Sequence, residues 1–267
     1  MGESILSYKP FYDEMIWSNS RVQCYRDCPY QFFQKYIGKY EEQPQFYKSF
    51  GSFMHKIIEQ YYTQGLSKEE MKVKFLLNYQ KEVLGRRPNE KIAKNYIDDA
   101  LKYFENFKPF PFNTVAVEKK VEFLVEDFKG NYPPRKFVGI IDYLGEKDGD
   151  LYIVDHKSRR LKQRSKRGKY TKNDEAIDKT FRQLYLYSKA VKDEYGVFPK
   201  ELYLNCFLNG EIIVEPFNED TYNEVLHDYL FDINYLTEDN EFRPFVEYFN
   251  CKYLCGFSSD CCYFNRR

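Results

Sequence analysis

The 267-residue sequence has no apolar run approaching 18 residues, which removes a membrane-spanning helix from consideration. No basic-then-apolar leader opens it, so a protein that is not exported is expected, with the cytoplasm as its compartment. It carries no excess of either charge, since 41 Lys and Arg balance 41 Asp and Glu. That balance excludes a generally sticky polycation but leaves local patches open. Internal repeats are absent as well, which excludes an array of stacked units. With 43% hydrophobic and 31% charged residues, the chain is expected to form one compact domain over residues 1–267 with extensions.

What is present is unevenly placed. From Lys157 to Lys172, "KSRRLKQRSKRGKYTK" holds nine basic residues and no acid. A solvated loop would account for it; so would a segment that grips phosphates, with Arg159, Arg160, Arg164, Lys166 and Arg167 as candidate contacts to a DNA backbone. Aromatic residues reach 19%, with 26 Tyr and 24 Phe, enough to pack a core and still leave rings that could stack single-stranded bases. Seven cysteines in the expected compartment argue for metal or thiol chemistry, because disulfides do not persist there. Cys24 and Cys28 lie near the start, Cys206 stands alone, and Cys251, Cys255, Cys261 and Cys262 lie near the end. Spacing alone admits a structural Zn²⁺ site made of Cys24-x-x-x-Cys28 and Cys251-x-x-x-Cys255.

Periodicity organises the rest. Helical turns are expected on both sides of Pro29, which interrupts the pattern. A helix is expected over about 51–62, with Phe53, Ile57, Ile58 and Tyr61 on one face and His55 off that stripe. Two more amphipathic helices follow, the first opened by a Ser67-x-x-Glu70 capping pattern, giving a helical region over 51–108. The period then changes to two, for strands at 114–126, 136–146, 151–157, 201–208 and 211–216, with a helix at 174–195 and a C-terminal helix at 218–238. A sheet with helices on its faces is the α/β class.

One hairpin is unusual. "GIIDYLGEKDGDLYIVDHKSRR", residues 139–160, places an aspartate in each of two apolar runs. A type I′ turn at Asp148-Gly149 pairs Lys147 with Asp150, and counting outward sets Asp142 opposite Asp155. Opposed side chains on one face lie roughly 4.5–5.5 Å apart, so two acids there need a positive group between them. Lys157 shares the face of Asp155, and two carboxylates and an ammonium converge on one patch.

Asp142, twelve residues, and then Asp155-His156-Lys157 resemble the active-site core of the PD-(D/E)XK nuclease superfamily. His55 in "GSFMHKIIE", Glu118 in "VEKKV", and Gln183 and Tyr187 in "RQLYLYSKA" resemble its RecB-like branch. Cys28-Pro29 with Cys251, Cys255 and Cys261 is similar to the iron-sulfur clasp of cluster-containing members of that branch, which include CRISPR adaptation nucleases and phage exonucleases. Two departures stand out: Gly139-Ile140-Ile141 leads into Asp142 without the usual Pro-Asp, and three residues separate Cys251 from Cys255 where two are commoner.

The resemblance implies a restriction-endonuclease-like central mixed sheet flanked by helices, a catalytic core over 114–216, and a clasp made of 18–37 and 245–262. It implies a metal-dependent deoxyribonuclease, an exonuclease acting on DNA ends or single strands. Asp142, Asp155, His55, Glu118 and the backbone carbonyl of His156 would hold Mg²⁺ or Mn²⁺, and Lys157, Gln183 and Tyr187 would complete the catalytic set. Cys28, Cys251, Cys255 and Cys261 would hold a 4Fe-4S cluster. The alternative is a DNA-binding or assembly subunit that keeps the fold without the catalysis.

Overall fold

The structure is a computed structural model that describes residues 8–165 and 169–265. The described chain runs α1 (Lys9–Asp13), α2 (Asn19–Asp27), α3 (Pro29–Phe32), α4 (Phe46–Gln64), α5 (Lys68–Glu82), α6 (Glu90–Asn106), β1 (Asn113–Val125), β2 (Arg135–Lys147), β3 (Asp150–Lys157), α7 (Lys172–Tyr195), β4 (Glu201–Cys206), β5 (Glu211–Pro216) and α8 (Glu219–Glu238). The five strands form one sheet in the order β1-β2-β3-β4-β5. Strands β2 and β3 pair antiparallel, β3 and β4 parallel, and β4 and β5 antiparallel. The sheet is therefore mixed, and α7 supplies the crossover that a parallel pair requires. This is the α/β fold with helices flanking a central mixed sheet. No described helix is long and apolar enough to cross a membrane.

The chain divides into two compact units, where the sequence led us to expect one domain. One unit combines the described residues up to Gln43 with Glu122–Gly139 and the chain from Glu219 onward; the other comprises Pro44–Val121 and Ile140–Asn218. The expected clasp segments and the C-terminal helix share the first unit. The expected helical region and the expected catalytic core, apart from Glu122–Gly139, share the second.

In the second unit, α4, α5 and α6 form an aromatic-rich core around Phe50, Phe53, Ile57, Phe75, Ala100 and Phe104, all buried. Ser67 and Glu70 close the expected capping box on α5. Helix α4 begins at Phe46, five residues before the expected start, because Phe46 and Phe50 extend its apolar stripe through Gly51. Interior glycine costs a helix about 1 kcal/mol. Here it permits close approach, since a Cβ on Gly51 would lie 3.3 Å from the Ser158 hydroxyl.

The hairpin register follows the expected count, with Lys147 opposite Asp150 and Tyr143 opposite Val154. Its turn has φ 57° at Asp148 and 87° at Gly149, the left-handed pair that a type I′ turn demands. Phe112 stacks on Tyr152 at 4.2 Å between ring centroids and covers Gly145.

In the first unit, an Arg26–Asp232 ion pair links α2 to α8, and Tyr25 donates to Asp239, just past the end of α8, at 2.7 Å. Tyr229 of α8 donates to Asn19 at 2.6 Å. Trp17, fully buried, exchanges backbone hydrogen bonds with Lys136 and Val138 at 2.8 Å each. Single π-helical turns at Phe33–Ile37 and Asn250–Leu254 lie beside Cys28 and around Cys251. Sequence periodicity does not anticipate them.

A Cβ on Gly145 would lie 2.6 Å from the Phe112 Cβ and 2.9 Å from a Tyr143 ring carbon. Gly145→Ala is expected to cost about 1–3 kcal/mol of stability, the usual penalty for overpacking a closed core. Chemical denaturation measures it, and an unchanged midpoint would show that Phe112 yields freely.

Candidate active site

Beyond Tyr143 and Val154 the β2–β3 register is not continued, and the chemistry is placed at that point. The Asp142 carboxylate accepts the backbone N–H of His156 at 2.7 Å, so a side chain takes a β3 donor there. Strand alternation puts Asp155 and Lys157 on one face, with Lys157 Nζ 2.7 Å from Asp155 Oδ2. Both aspartates are buried, at 8% and 4% exposure. The positive groups that the sequence argument required are in place: Lys157 compensates Asp155, and His55 approaches Asp142.

His55 comes from the non-stripe face of α4. Its Nε2 donates to the His156 carbonyl at 2.7 Å, which turns Nδ1 toward Asp142 Oδ2 at 3.5 Å and Glu118 Oε1 at 3.7 Å. Glu118 reaches this point from β1 with φ 48°, a left-handed conformation that is strained for a residue bearing a side chain. Such strain persists where the surroundings over-determine it, and it clusters at ligand clamps. The competing acid on the same strand, Glu122, is exposed.

Ligand atoms of His55, Glu118 and Asp142 all lie within 4.8 Å of one another. They line an open cavity of about 430 Å³ together with Asp155, Lys157 and Gln183. The donor set fits a divalent cation. A metal-binding histidine ordinarily donates its second ring nitrogen to a carbonyl, as His55 does to His156. Asp155 Oδ2, buried and paired with the Lys157 ammonium, has no hydrogen-bond donor besides it and keeps coordinating capacity in reserve. The His156 carbonyl, expected as a ligand, faces the site as the acceptor for His55.

Electrostatics follow from the crowding. Burial pushes the Asp142 carboxyl up to about 7, with His55 opposing and Asp155 adding to the rise. Burial alone would lower His55, but Asp142, Glu118 and Asp155 outweigh it and raise the imidazolium to about 9. The His156 ring, on the other face of β3, is pushed well below its ordinary range by burial and by the neighbouring cations.

A model of the PD-(D/E)XK nuclease superfamily matches residues 16–262. The chain belongs to the PD-(D/E)XK nuclease superfamily. Among curated proteins, none matches it significantly. Members of the superfamily are generally nucleases that use Mg²⁺ or Mn²⁺, and the convergence of His55, Glu118 and Asp142 offers this chain a site for such an ion.

The remaining expected residues fall into three groups. Gln183 accepts Lys157 Nζ at 2.9 Å and reaches Tyr187 at 3.4 Å, so the chain Asp155–Lys157–Gln183–Tyr187 is continuous, with Tyr187 buried behind Gln183. In the basic segment, Arg159 is exposed, but Arg160 pairs with Asp99 beside the Tyr96 ring, and Arg164 pairs with Asp178 and Glu215. Acids from α6, α7 and β5 thus neutralise charge that looked free in the sequence. Lys166 and Arg167 lie outside the described residues.

The cysteines form the third group, in the other unit. Burial pushes the Cys255 thiol up to about 12, and Cys28, Cys251 and Cys261 each add to the rise. Burial likewise takes Cys24 to about 12, with Cys255 and Cys28 contributing. Sequence reasoning missed Asn205, which donates to His156 Nδ1 at 2.9 Å; no motif marks it.

Because protons occupy His55 up to about pH 9 and Asp142 up to about pH 7, a divalent ion must displace them. Mn²⁺ affinity is therefore expected to climb as pH rises between those values, with protons released on uptake. Calorimetry in buffers of different ionisation enthalpy measures both, and a flat affinity across that window would remove His55 from the ligand set.

Proposed function

We propose that the chain is a metal-dependent deoxyribonuclease, an exonuclease acting on DNA ends or single strands. The observation that carries this reading is the meeting of His55, Glu118 and Asp142 beside an Asp155–Lys157 pair. Mg²⁺ or Mn²⁺ bound there would neutralise phosphate charge and make water a nucleophile near neutral pH. Asp142 and Asp155 would supply its hard oxygen ligands, and the His55 imidazole inclines the site toward Mn²⁺.

Lys157 is held between Asp155 and the Gln183 carbonyl oxygen. So fixed, its ammonium can orient the attacking water or steady charge on the phosphate without reorganising first. Tyr187 braces Gln183 from behind. The exonuclease reading is supported by the RecB-like arrangement of His55, Gln183 and Tyr187. Exposed Arg159 would contact the phosphate backbone without reading sequence.

Asp155→Ala and Lys157→Ala are each expected to lower Mn²⁺-dependent degradation of linear DNA at least about a hundredfold, the loss common when an electrostatic group of the transition state is removed. Wild-type rates in either variant would falsify the catalytic assignment. Cleavage of linear but not covalently closed DNA is the expected pattern; discrete fragments from circles would point to an endonuclease.

We further infer that Cys28, Cys251, Cys255 and Cys261 hold a 4Fe-4S cluster. Support comes from Cys28 and Cys261, each of which adds to the raised thiols of Cys251 and Cys255. The π-helical turn at Asn250–Leu254 absorbs the extra residue between Cys251 and Cys255.

Protein made without oxygen is expected to be brown, with Cys261→Ser bleaching it and Cys24→Ser leaving it coloured. Iron, sulfide and zinc analysis decides the matter: colourless protein with one zinc, dependent on Cys24 and indifferent to Cys261, would replace the cluster with a zinc site and leave the nuclease reading intact.

A further inference from the structure

Residue 156 contributes to the site through its backbone, and its backbone is anchored from the opposite face of the sheet. Its N–H bonds the Asp142 carboxylate at 2.7 Å and its carbonyl receives His55 Nε2 at 2.7 Å. Two of the three converging donors are thus bolted to one residue. The His156 side chain, 3% exposed, projects the other way. There Asn205, its direct partner in the parallel β3–β4 register and 4% exposed, donates from Nδ2 to His156 Nδ1 at 2.9 Å. The same amide nitrogen donates to the Tyr103 hydroxyl of α6 at 2.7 Å.

Stability alone does not call for this arrangement. A buried imidazole and carboxamide must satisfy one another to avoid a desolvation penalty, and an apolar pair of the same shape would serve the core as well. What the hydrogen bonds add is direction. They fix the rotation of the imidazole, and through it the strand geometry at residue 156.

We propose that Asn205, backed by Tyr103, is a positioning residue of the metal site, holding residue 156 so that Asp142 and His55 present their ligand atoms together. This deepens the nuclease reading and rests on it. Asn205 touches neither metal nor substrate; it acts through His156. Outer partners of metal ligands commonly change affinity by about 10–100-fold when removed.

The test uses the full-length protein and Mn²⁺ alone, without DNA, titrated by electron paramagnetic resonance. Asn205→Leu is expected to weaken Mn²⁺ about tenfold and Tyr103→Phe, which keeps the ring, about threefold, scaled from that range. Ser188→Ala serves as the control, because Ser188 is equally buried in α7 and bonded only to the Leu184 carbonyl at 2.9 Å in its own helix. It should leave Mn²⁺ affinity unchanged. Amide exchange in metal-free protein gives a second readout: exchange of the His156 N–H should accelerate in Asn205→Leu while that of Leu204, next to Asn205, stays as in wild type.

Wild-type Mn²⁺ affinity and wild-type His156 protection in both variants would overturn the proposal, as would equal weakening by Ser188→Ala. Should Asn205→Leu fail to fold, Tyr103→Phe decides by the same two measurements. Wild-type protein that takes up no Mn²⁺ sinks the metal reading and this inference together. Wild-type uptake with indifferent variants sinks this inference alone.

Discussion

Two carboxylates buried side by side in a β-hairpin must each be compensated, and the second unit is arranged around that requirement. Asp155 meets the Lys157 ammonium two residues along its own strand. Asp142 has only Ile140 and Leu144 two residues either way along β2 and takes its compensating cation from α4, the His55 imidazole. Neither compensation is complete. Asp155 Oδ2 has the Lys157 ammonium and no hydrogen-bond donor besides it, and Asp142 stays raised to about 7 despite His55. An anionic site left short of positive charge is what a divalent cation satisfies, and in its absence protons take part of that role.

Helix α4 serves both the core and the site because its two faces differ. Phe50, Phe53, Ile57 and Ile58 bury one face among aromatic rings of α5 and α6, with Phe53 stacked on Phe75 at 5.6 Å. That packing sets the rotation of the helix about its axis. His55, two residues past Phe53, is thereby directed to the cavity that also takes in Gly51 and Ser52. The close approach of Gly51 to Ser158 brings the helix against the end of β3. Core packing and site geometry are consequently one constraint, and a volume change at Phe53 reaches the imidazole.

The first unit joins segments far apart in the chain by ordinary contacts. Gln43 donates its N–H to the Gly256 carbonyl at 2.9 Å, and the Tyr30 and Tyr263 rings meet edge to face at 4.9 Å. Loop-closure cost grows slowly with length, so modest contacts suffice to begin the joining of such distant segments. Cys28 lies between α2 and α3 in extended conformation, and Pro29 starts the next helix without needing a backbone donor.

Much of the fold and part of the site are legible in the sequence. The period-two runs locate the strands, Asp148-Gly149 sets the turn, and counting from that turn places Asp142, Asp155 and Lys157 together, because a hairpin's register is a local property of a two-residue turn. Helices α5 and α6 are announced by their apolar stripes, and α5 by its capping pattern as well. Tertiary structure alone decided three other matters. Glu118, and not Glu122, reaches the site because a left-handed φ at residue 118 redirects β1, and no side-chain pattern encodes that backbone twist. Arg160 and Arg164 are neutralised by Asp99, Asp178 and Glu215, acids at least 14 residues distant that sequence inspection does not pair with them. Asn205 reaches His156 only through the parallel pairing of β3 with β4, which a 24-residue crossover helix brings about. Local order follows from neighbours along the chain; charge compensation and the support behind a site depend on which distant segments the folded chain brings into contact.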